Sequence, residues 1–264
     1  MPNWNSNDLK VIGKGKHVKK FIKENFKTHK FENEFDYILD FEQFNPTPMD
    51  EETGEIISEW YNWRLTHWGC KWSPSVDQCI CLTINKEDGT IETIYDQHSE
   101  IQFDEKLVDS LDDESETQLE LDCFFETPWG PPEAIFYQWY ERYKDLGLEV
   151  KLQFYEPGIA FAGELWFSGE EFCDEIVEPV HGNRKDYIKY LLDVGWENAG
   201  WYIEECFELL RDMHSDEILE KLMPKIEEMI KNGSNEEIAT LVDDIYNKWN
   251  EFEKGDNNAG SSEK

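Results

Sequence analysis

Leu9, Val11 and Ile12 predict a short strand, and Val18, Phe21, Ile22 and Phe26 then recur at helical spacing with lysines on the opposite face. The chain therefore opens strand, then helix. Phe35 to Phe44 is an aromatic, partly alternating run closed by Asn45-Pro46-Thr47-Pro48, and Ile56, Ile57, Trp60, Tyr61 and Trp63 predict a helix before Trp68-Gly69. Gln78 to Asn85 alternates, and Lys86-Glu87-Asp88-Gly89 has the turn chemistry to lead into Thr90 to Asp96, which predicts a β-hairpin. Ser110 to Glu116 reads as an acidic, solvated loop. After it come a strand over Gln118 to Glu126, a helix over Pro132 to Leu146, and strands over Leu148 to Tyr155 and Ile159 to Phe167.

Beyond about residue 180 the periodicity is helical throughout. Tyr187, Ile188, Leu191 and Leu192 form one apolar face, and Trp201, Tyr202, Ile203, Cys206, Leu209 and Leu210 form another. Ile218, Leu219, Leu222 and Met223 lead to Pro224, which should kink the helix or start a new one. Ser234 and Glu237 have capping-box spacing ahead of Ile238, Leu241, Val242, Ile245 and Trp249. The expected organisation is an α+β domain over 1–180, a helical module over 181–254 and a polar tail over 255–264.

Composition sharpens this picture. Apolar residues are 39% of 264 and aromatics 14%, enough to build a core. Lys+Arg 25 against Asp+Glu 59 leaves a net charge of -34, which repels phosphate backbones and argues against direct nucleic-acid binding. The charge is uneven. Between Lys10 and Lys30 the only acid is Glu24, among Lys10, Lys14, Lys16, Lys19, Lys20, Lys23, Lys27 and Lys30, whereas Phe31 to Trp63 holds no Lys or Arg. A basic first helix lying against an acidic remainder is the expected arrangement. No apolar run is long enough to cross a bilayer, and Met1-Pro2-Asn3-Trp4 does not begin a signal segment, so membrane association is not expected and the cytoplasm is the expected location. Cys70, Cys79, Cys81, Cys123, Cys173 and Cys206 imply no disulfide framework. Lysine is too frequent for halophilic adaptation.

Catalytic chemistry finds little footing. His67, Cys70, Cys79 and Cys81 make a zinc site conceivable, but the spacing is poor, and Cys79 and Cys81 read better as thiols of one strand. Gly13-Lys14-Gly15-Lys16 suggests a phosphate loop, yet it is too short and no Ser or Thr follows the lysine, so a strand-to-helix turn explains it. Carboxylates are too abundant for a catalytic pair to be picked by spacing, and the histidines form no triad with a nucleophile. Neither an enzyme nor a cofactor is expected.

Four stretches, read in order, carry a family likeness: Met1-Pro2-Asn3-Trp4-Asn5-Ser6-Asn7, Trp68-Gly69-Cys70-Lys71-Trp72, Phe125-Glu126-Thr127-Pro128-Trp129-Gly130-Pro131-Pro132, and Tyr155-Glu156-Pro157-Gly158 with Phe161-Ala162-Gly163. Over residues 1 to about 170 the chain resembles the YubB ferredoxin-like domain family of phages and plasmids. The resemblance implies a ferredoxin-like sheet with helices on one face and no settled catalytic activity. That family usually carries Cys where Asn5 stands and Thr where Cys70 stands. The acidic stretch 86–116 reads as a β-hairpin insertion, and the helical module falls outside the likeness.

The residues support two readings of these motifs. In one, the prolines end a strand and preset a helix while the indoles close a core. In the other, Trp68, Lys71, Trp72, Trp129 and Glu156 surround a concave site for a ring or peptide. The leading functional expectation combines habitat and charge: an acidic phage or mobile-element protein that inhibits a host defence or nucleic-acid-processing protein by occupying its basic surface, as a nucleic-acid mimic. The expected partner is a basic host protein or nucleoprotein complex. The carboxylates singled out are Asp109, Asp112, Asp113, Glu114, Glu116 and Glu120, and Glu170, Glu171, Asp174, Glu175 and Glu178. Against this stands acidity that serves solubility alone. The alternatives are a homo-oligomeric assembly module built on the C-terminal helices and a small-ligand or nucleotide binder using the Trp-rich turns.

Overall fold

A computed structural model describes residues 3–31, 34–86, 89–98, 101–111, 117–156, 161–177, 184–193 and 198–259. The chain divides into two units, Met1–Ile159 with Gly163–Ile176, and Ala160–Ala162 with Val177–Lys264. Along the first run β1 (Trp4–Lys14), α1 (Gly15–Asn25), β2 (Phe26–Phe31), β3 (Glu34–Leu39), α2 (Phe41–Phe44), α3 (Trp60–His67), β4 (Cys79–Asn85), β5 (Ile91–Tyr95), α4 (Glu105–Ser110), β6 (Gln118–Pro128), α5 (Glu133–Tyr143), β7 (Glu149–Glu156), β8 (Phe161–Ser168) and β9 (Glu171–Val177).

This is a mixed α+β architecture. Seven strands form one antiparallel sheet in the order β5-β4-β6-β1-β7-β8-β9, and β2 and β3 pair separately. Strand periodicity sorts the central strands into a buried and an open face. Leu9 and Val11 of β1 lie opposite Cys123 and Leu121 of β6 on one side and Leu152 and Val150 of β7 on the other, and all six are 0% exposed. Asp8, Lys10, Glu120 and Asp122 take the alternate positions and meet solvent.

Helices α1 and α5 close the buried face. Phe21 meets Trp139 edge-on at 5.3 Å and Tyr143 at 5.1 Å; Phe136 meets Phe167 at 5.5 Å, and Phe41 meets Phe125 at 6.3 Å. Polar groups inside this aromatic core are partnered, as burial demands. The Trp139 indole donates to Asn25 Oδ1 at 2.7 Å, and Asn25 Nδ2 donates to Phe21 O at 2.8 Å and to the Tyr143 hydroxyl at 2.9 Å.

Several elements depart from expectation for identifiable reasons. β1 extends well beyond its apolar triplet because its alternation continues through Asn5 and Asn7, polar but buried. Lys27 and Lys30 belong to β2, so the basic stretch is a helix followed by a hairpin strand. The helix before Trp68 begins only at Trp60, since Ile56 is spent on a lone antiparallel bridge to Met49. α4 arises locally, with Asp104 Oδ1 capping the Leu107 N–H at 2.8 Å. β9 forms within the acid-rich run 170–178, whose composition predicts only a charged surface.

The second unit holds α6 (Arg184–Asp193), α7 (Asn198–Met213), α8 (Asp216–Asn232) and α9 (Asn235–Ala259). Tyr187, Ile188, Leu191, Cys206, Leu210, Ala239, Val242 and Ile245 are buried among them. The capping box is formed: Glu237 Oε2 accepts from the Ser234 N–H at 2.8 Å, and Ser234 Oγ accepts from the Glu237 N–H at 3.3 Å. α8 runs through Pro224 without a break. Among the described residues no helix is long and apolar enough to cross a membrane.

Candidate functional site

The lysine-rich start of the chain is largely occupied by the protein's own acceptors. Lys19 Nζ donates to the carbonyls of Asp109 and Leu111 at 3.0 Å each. Lys23 pairs with Asp109 at 2.5 Å, Lys20 with Glu24 at 3.9 Å and Lys27 with Asp40 at 2.6 Å. Lys10 holds Glu120 and, at 3.1 Å, Asp122. Two carboxylates singled out for a basic partner are therefore already engaged. The bond from Lys23 leads the lowering of the Asp109 pKa; at Glu120 burial acts upward, and the bonds from Lys10 and Asn85 outweigh it. Asp112, Asp113, Glu114, Glu116 and Glu178 lie outside the described residues.

The second acidic stretch is arranged differently. After Gly169, whose φ of 60° turns the chain, Glu170 ends the β8–β9 turn and β9 runs from Glu171 to Val177, including Glu175. Phe172 anchors the strand on α5: its ring stacks on Tyr137 at 5.1 Å and meets Tyr140 at 5.0 Å and Phe136 at 6.1 Å. The Tyr140 hydroxyl donates to Glu170 O at 3.4 Å and the Tyr137 hydroxyl to Asp174 Oδ2 at 2.5 Å. Glu171 and Asp174 are exposed, and among the described residues neither they nor Glu170 meet a cation at ion-pair distance. Excess negative potential follows. The bond to Asp174, then burial, pushes the Tyr137 hydroxyl up to about 12, and burial followed by the Asp174 charge raises Glu133.

The described residues of the four motif stretches lie toward one end of the sheet. Trp4 and Asn5 lie opposite Pro128 and Thr127, and Ser6 lies opposite both Glu126 and Tyr155. Gly69, at φ 85°, seats the Trp68 stretch on the start of α5, where an added Cβ would come within 2.8 Å of the Glu133 backbone nitrogen. Beneath, Asn5, Asn7, Thr127 and Glu156 are all 0% exposed. Asn5 Nδ2 donates to Asn7 Oδ1 at 2.7 Å, and Asn7 Nδ2 donates to Thr127 Oγ1 at 2.9 Å and Asn5 O at 3.0 Å. Thr127 Oγ1 in turn donates to Gly130 O at 2.8 Å.

This polar knot fixes the turn that carries Trp129, whose φ of 75° is rare for a residue with a side chain and whose indole is 53% exposed. Trp68, by contrast, is 0% exposed; its indole donates to Asn45 O at 2.9 Å, and the Arg64 guanidinium lies 4.6 Å from its ring. Lys71 Nζ sits 4.2 Å from the Trp72 ring and 5.8 Å from that of Tyr61, so the chain fills its own aromatic recess with its own cation. Trp68 and Glu156 are thus interior groups, while Lys71, Trp72 and Trp129 are surface groups.

None of these five lines either described cavity. One, of about 450 Å³, lies against Lys23, Glu24, Phe44, Gln138 and Arg142, and the other, of about 350 Å³, against Asp8, Cys79, Cys81, Asp122 and Phe124. In the first, Arg142 is already clamped by Glu24 through Nε at 3.1 Å and Nη2 at 3.0 Å. Among the described residues no three His, Cys, Asp or Glu side chains are placed to hold a metal ion. His67 stacks on Trp63 at 4.2 Å, and Cys70 Sγ donates to Trp72 O at 3.2 Å. At the Gly13-Lys14-Gly15-Lys16 junction the Gly15 N–H, which would cradle a phosphate, donates to Thr117 O at 3.2 Å. Comparison with protein-family models, curated proteins and solved structures yields no match.

Proposed function

We propose that this chain is a non-enzymatic acidic binding protein of a phage or mobile element, active in the bacterial cytoplasm, that inhibits a host defence or nucleic-acid-processing protein by covering its basic surface. The observation that carries the reading is the row Glu170, Glu171 and Asp174 at the sheet's end, carboxylates without cationic partners among the described residues, in a chain of net charge -34. Carboxylates so placed make charge-assisted bonds to arginine and lysine in positions that phosphates otherwise take, and opposite potentials speed the encounter. Three of the four lysines of α1 do not oppose this, because Lys19, Lys20 and Lys23 are held by the chain's own oxygens.

A YubB-like ferredoxin core is part of the proposal. Its support is the central order β4-β6-β1-β7, in which α1 lies in sequence between β1 and the hairpin preceding β4, α5 links β6 to β7, and all three adjacent pairs are antiparallel. The placement of the described motif residues toward one sheet end supports it further. On this reading β5 and the stretch 86–116 are additions to the core, as is the helical unit.

The test is phage plating on bacteria carrying a CRISPR or restriction system, with and without the protein. Expression should raise plating efficiency at least tenfold, and the triple variant E170Q/E171Q/D174N should lose most of that rise while accumulating normally. Unchanged plating across such hosts, or full activity of the triple variant, overturns the proposal.

A further inference from the structure

We infer that β9 is a docking edge to which an extended, lysine- or arginine-bearing segment of the partner adds as a further strand; this rests on the acidic-binding reading above. β9 is the terminal strand of the sheet order, so among the described residues no strand lies beside the peptide groups along its outer side. Such edges recruit extended chains, and proteins usually blunt them with proline, lysine, a bulge or a short strand. The opposite edge carries those devices: β5 is five residues long, and its pairing with β4 shifts register between Leu82 and Thr83. Over Glu171–Val177 there is no proline and no lysine, and Glu171, Cys173, Asp174 and Ile176 are exposed. Phe172 pins the strand to α5, which holds the edge extended before any partner arrives.

Charge selects the occupant. A second copy of the chain would bring Glu171 and Asp174 against an identical acidic strand, and like charges facing across a strand pair are destabilising. A cationic strand reverses the sign of every such contact. Main-chain bonds then supply affinity while the carboxylates choose sequence and register, the division of labour of β-strand addition.

The probe is a fluorescent synthetic peptide of alternating lysine and valine, titrated against the full chain at low salt by anisotropy, with amide hydrogen exchange read on the complex. Binding should slow exchange at amides of 171–177, should weaken at least tenfold for E171Q/D174N, and should weaken at least tenfold for a peptide N-methylated at alternate amides. Equal binding of the methylated peptide with unchanged exchange at 171–177 overturns strand addition while leaving charge-driven docking intact. Binding indifferent to both E171Q/D174N and salt overturns the acidic-docking reading as well. Concentration-dependent protection of the same amides without peptide would show self-pairing and overturn the choice of occupant. Exchange outside 171–177 that matches the parent chain verifies that the variant is folded.

Discussion

Asn7 shows how much one buried amide can organise. It accepts from Asn5 and donates to Thr127 and the Asn5 carbonyl, linking the start of β1 to the end of β6 where the Trp129 turn begins. Truncation would take a hydrogen-bond partner from each of those buried groups, at about 1–3 kcal/mol for a buried group so deprived. Asn7→Ala should therefore lower unfolding stability by roughly 2 kcal/mol, measured by urea denaturation; a loss under about 0.5 kcal/mol would mean that the knot is not what holds this end. Among the described residues Asn5 Oδ1 is buried with no hydrogen-bond partner, and a cysteine there would carry no such oxygen. The sequence does not show that these positions are interior, because asparagine is ordinarily a surface or turn residue. The burial of Trp68 and Glu156 was equally illegible, since it depends on segments far apart in the chain.

At the level of elements, local patterning performed best where one face is apolar and the other charged. α1, the β4–β5 pair, β6, α5, β7 and α6 to α9 fall close to where periodicity puts them. It failed on β2, whose Lys27 and Lys30 continue a basic helix pattern, and on β9, where the Phe172–Ile176 alternation is drowned by carboxylates. Both strands exist because a neighbour receives them, β3 in one case and β8 in the other, and a cross-strand partner is invisible to a local window. α8 poses the opposite case. Pro224 sits in mid-helix, where it removes one backbone bond and crowds the preceding turn, a cost of about 3 kcal/mol relative to alanine in an exposed helix. Pro224→Ala should raise the stability of the helical unit by about 1–3 kcal/mol, read from thermal unfolding by circular dichroism; a fall would show that the helix needs the proline to pack.

For the whole molecule, pH response follows from opposed groups of carboxyls. Burial foremost raises Asp122, Glu126 and Glu133, so their contribution to stability is complete below the unfolded values and is lost as pH climbs through the folded ones. Hydrogen bonds and ion pairs lower Glu24, Asp109, Asp193 and Glu237, whose contribution is present above the unfolded values and is lost as pH falls through the folded ones. Self-repulsion at a net charge of -34 adds to the first trend. The urea midpoint should thus rise as pH falls from 7 to about 5 and decline below about 4, near the ordinary carboxylate range. Added sodium chloride at pH 7 should raise it through screening. A maximum at or above pH 7, or a midpoint insensitive to salt there, would contradict this balance. Composition and periodicity alone determined the acidic character, the mixed body followed by helices, and most amphipathic elements, because each depends on residues near one another in the chain. Only tertiary structure decided which carboxylates are neutralised and which have no cation beside them, since Lys23 and Lys10 reach Asp109 and Glu120 across 86 and 110 positions while, among the described residues, no lysine or arginine reaches Glu171 or Asp174. An ion pair is a matter of distance in space, and a one-dimensional string does not record it.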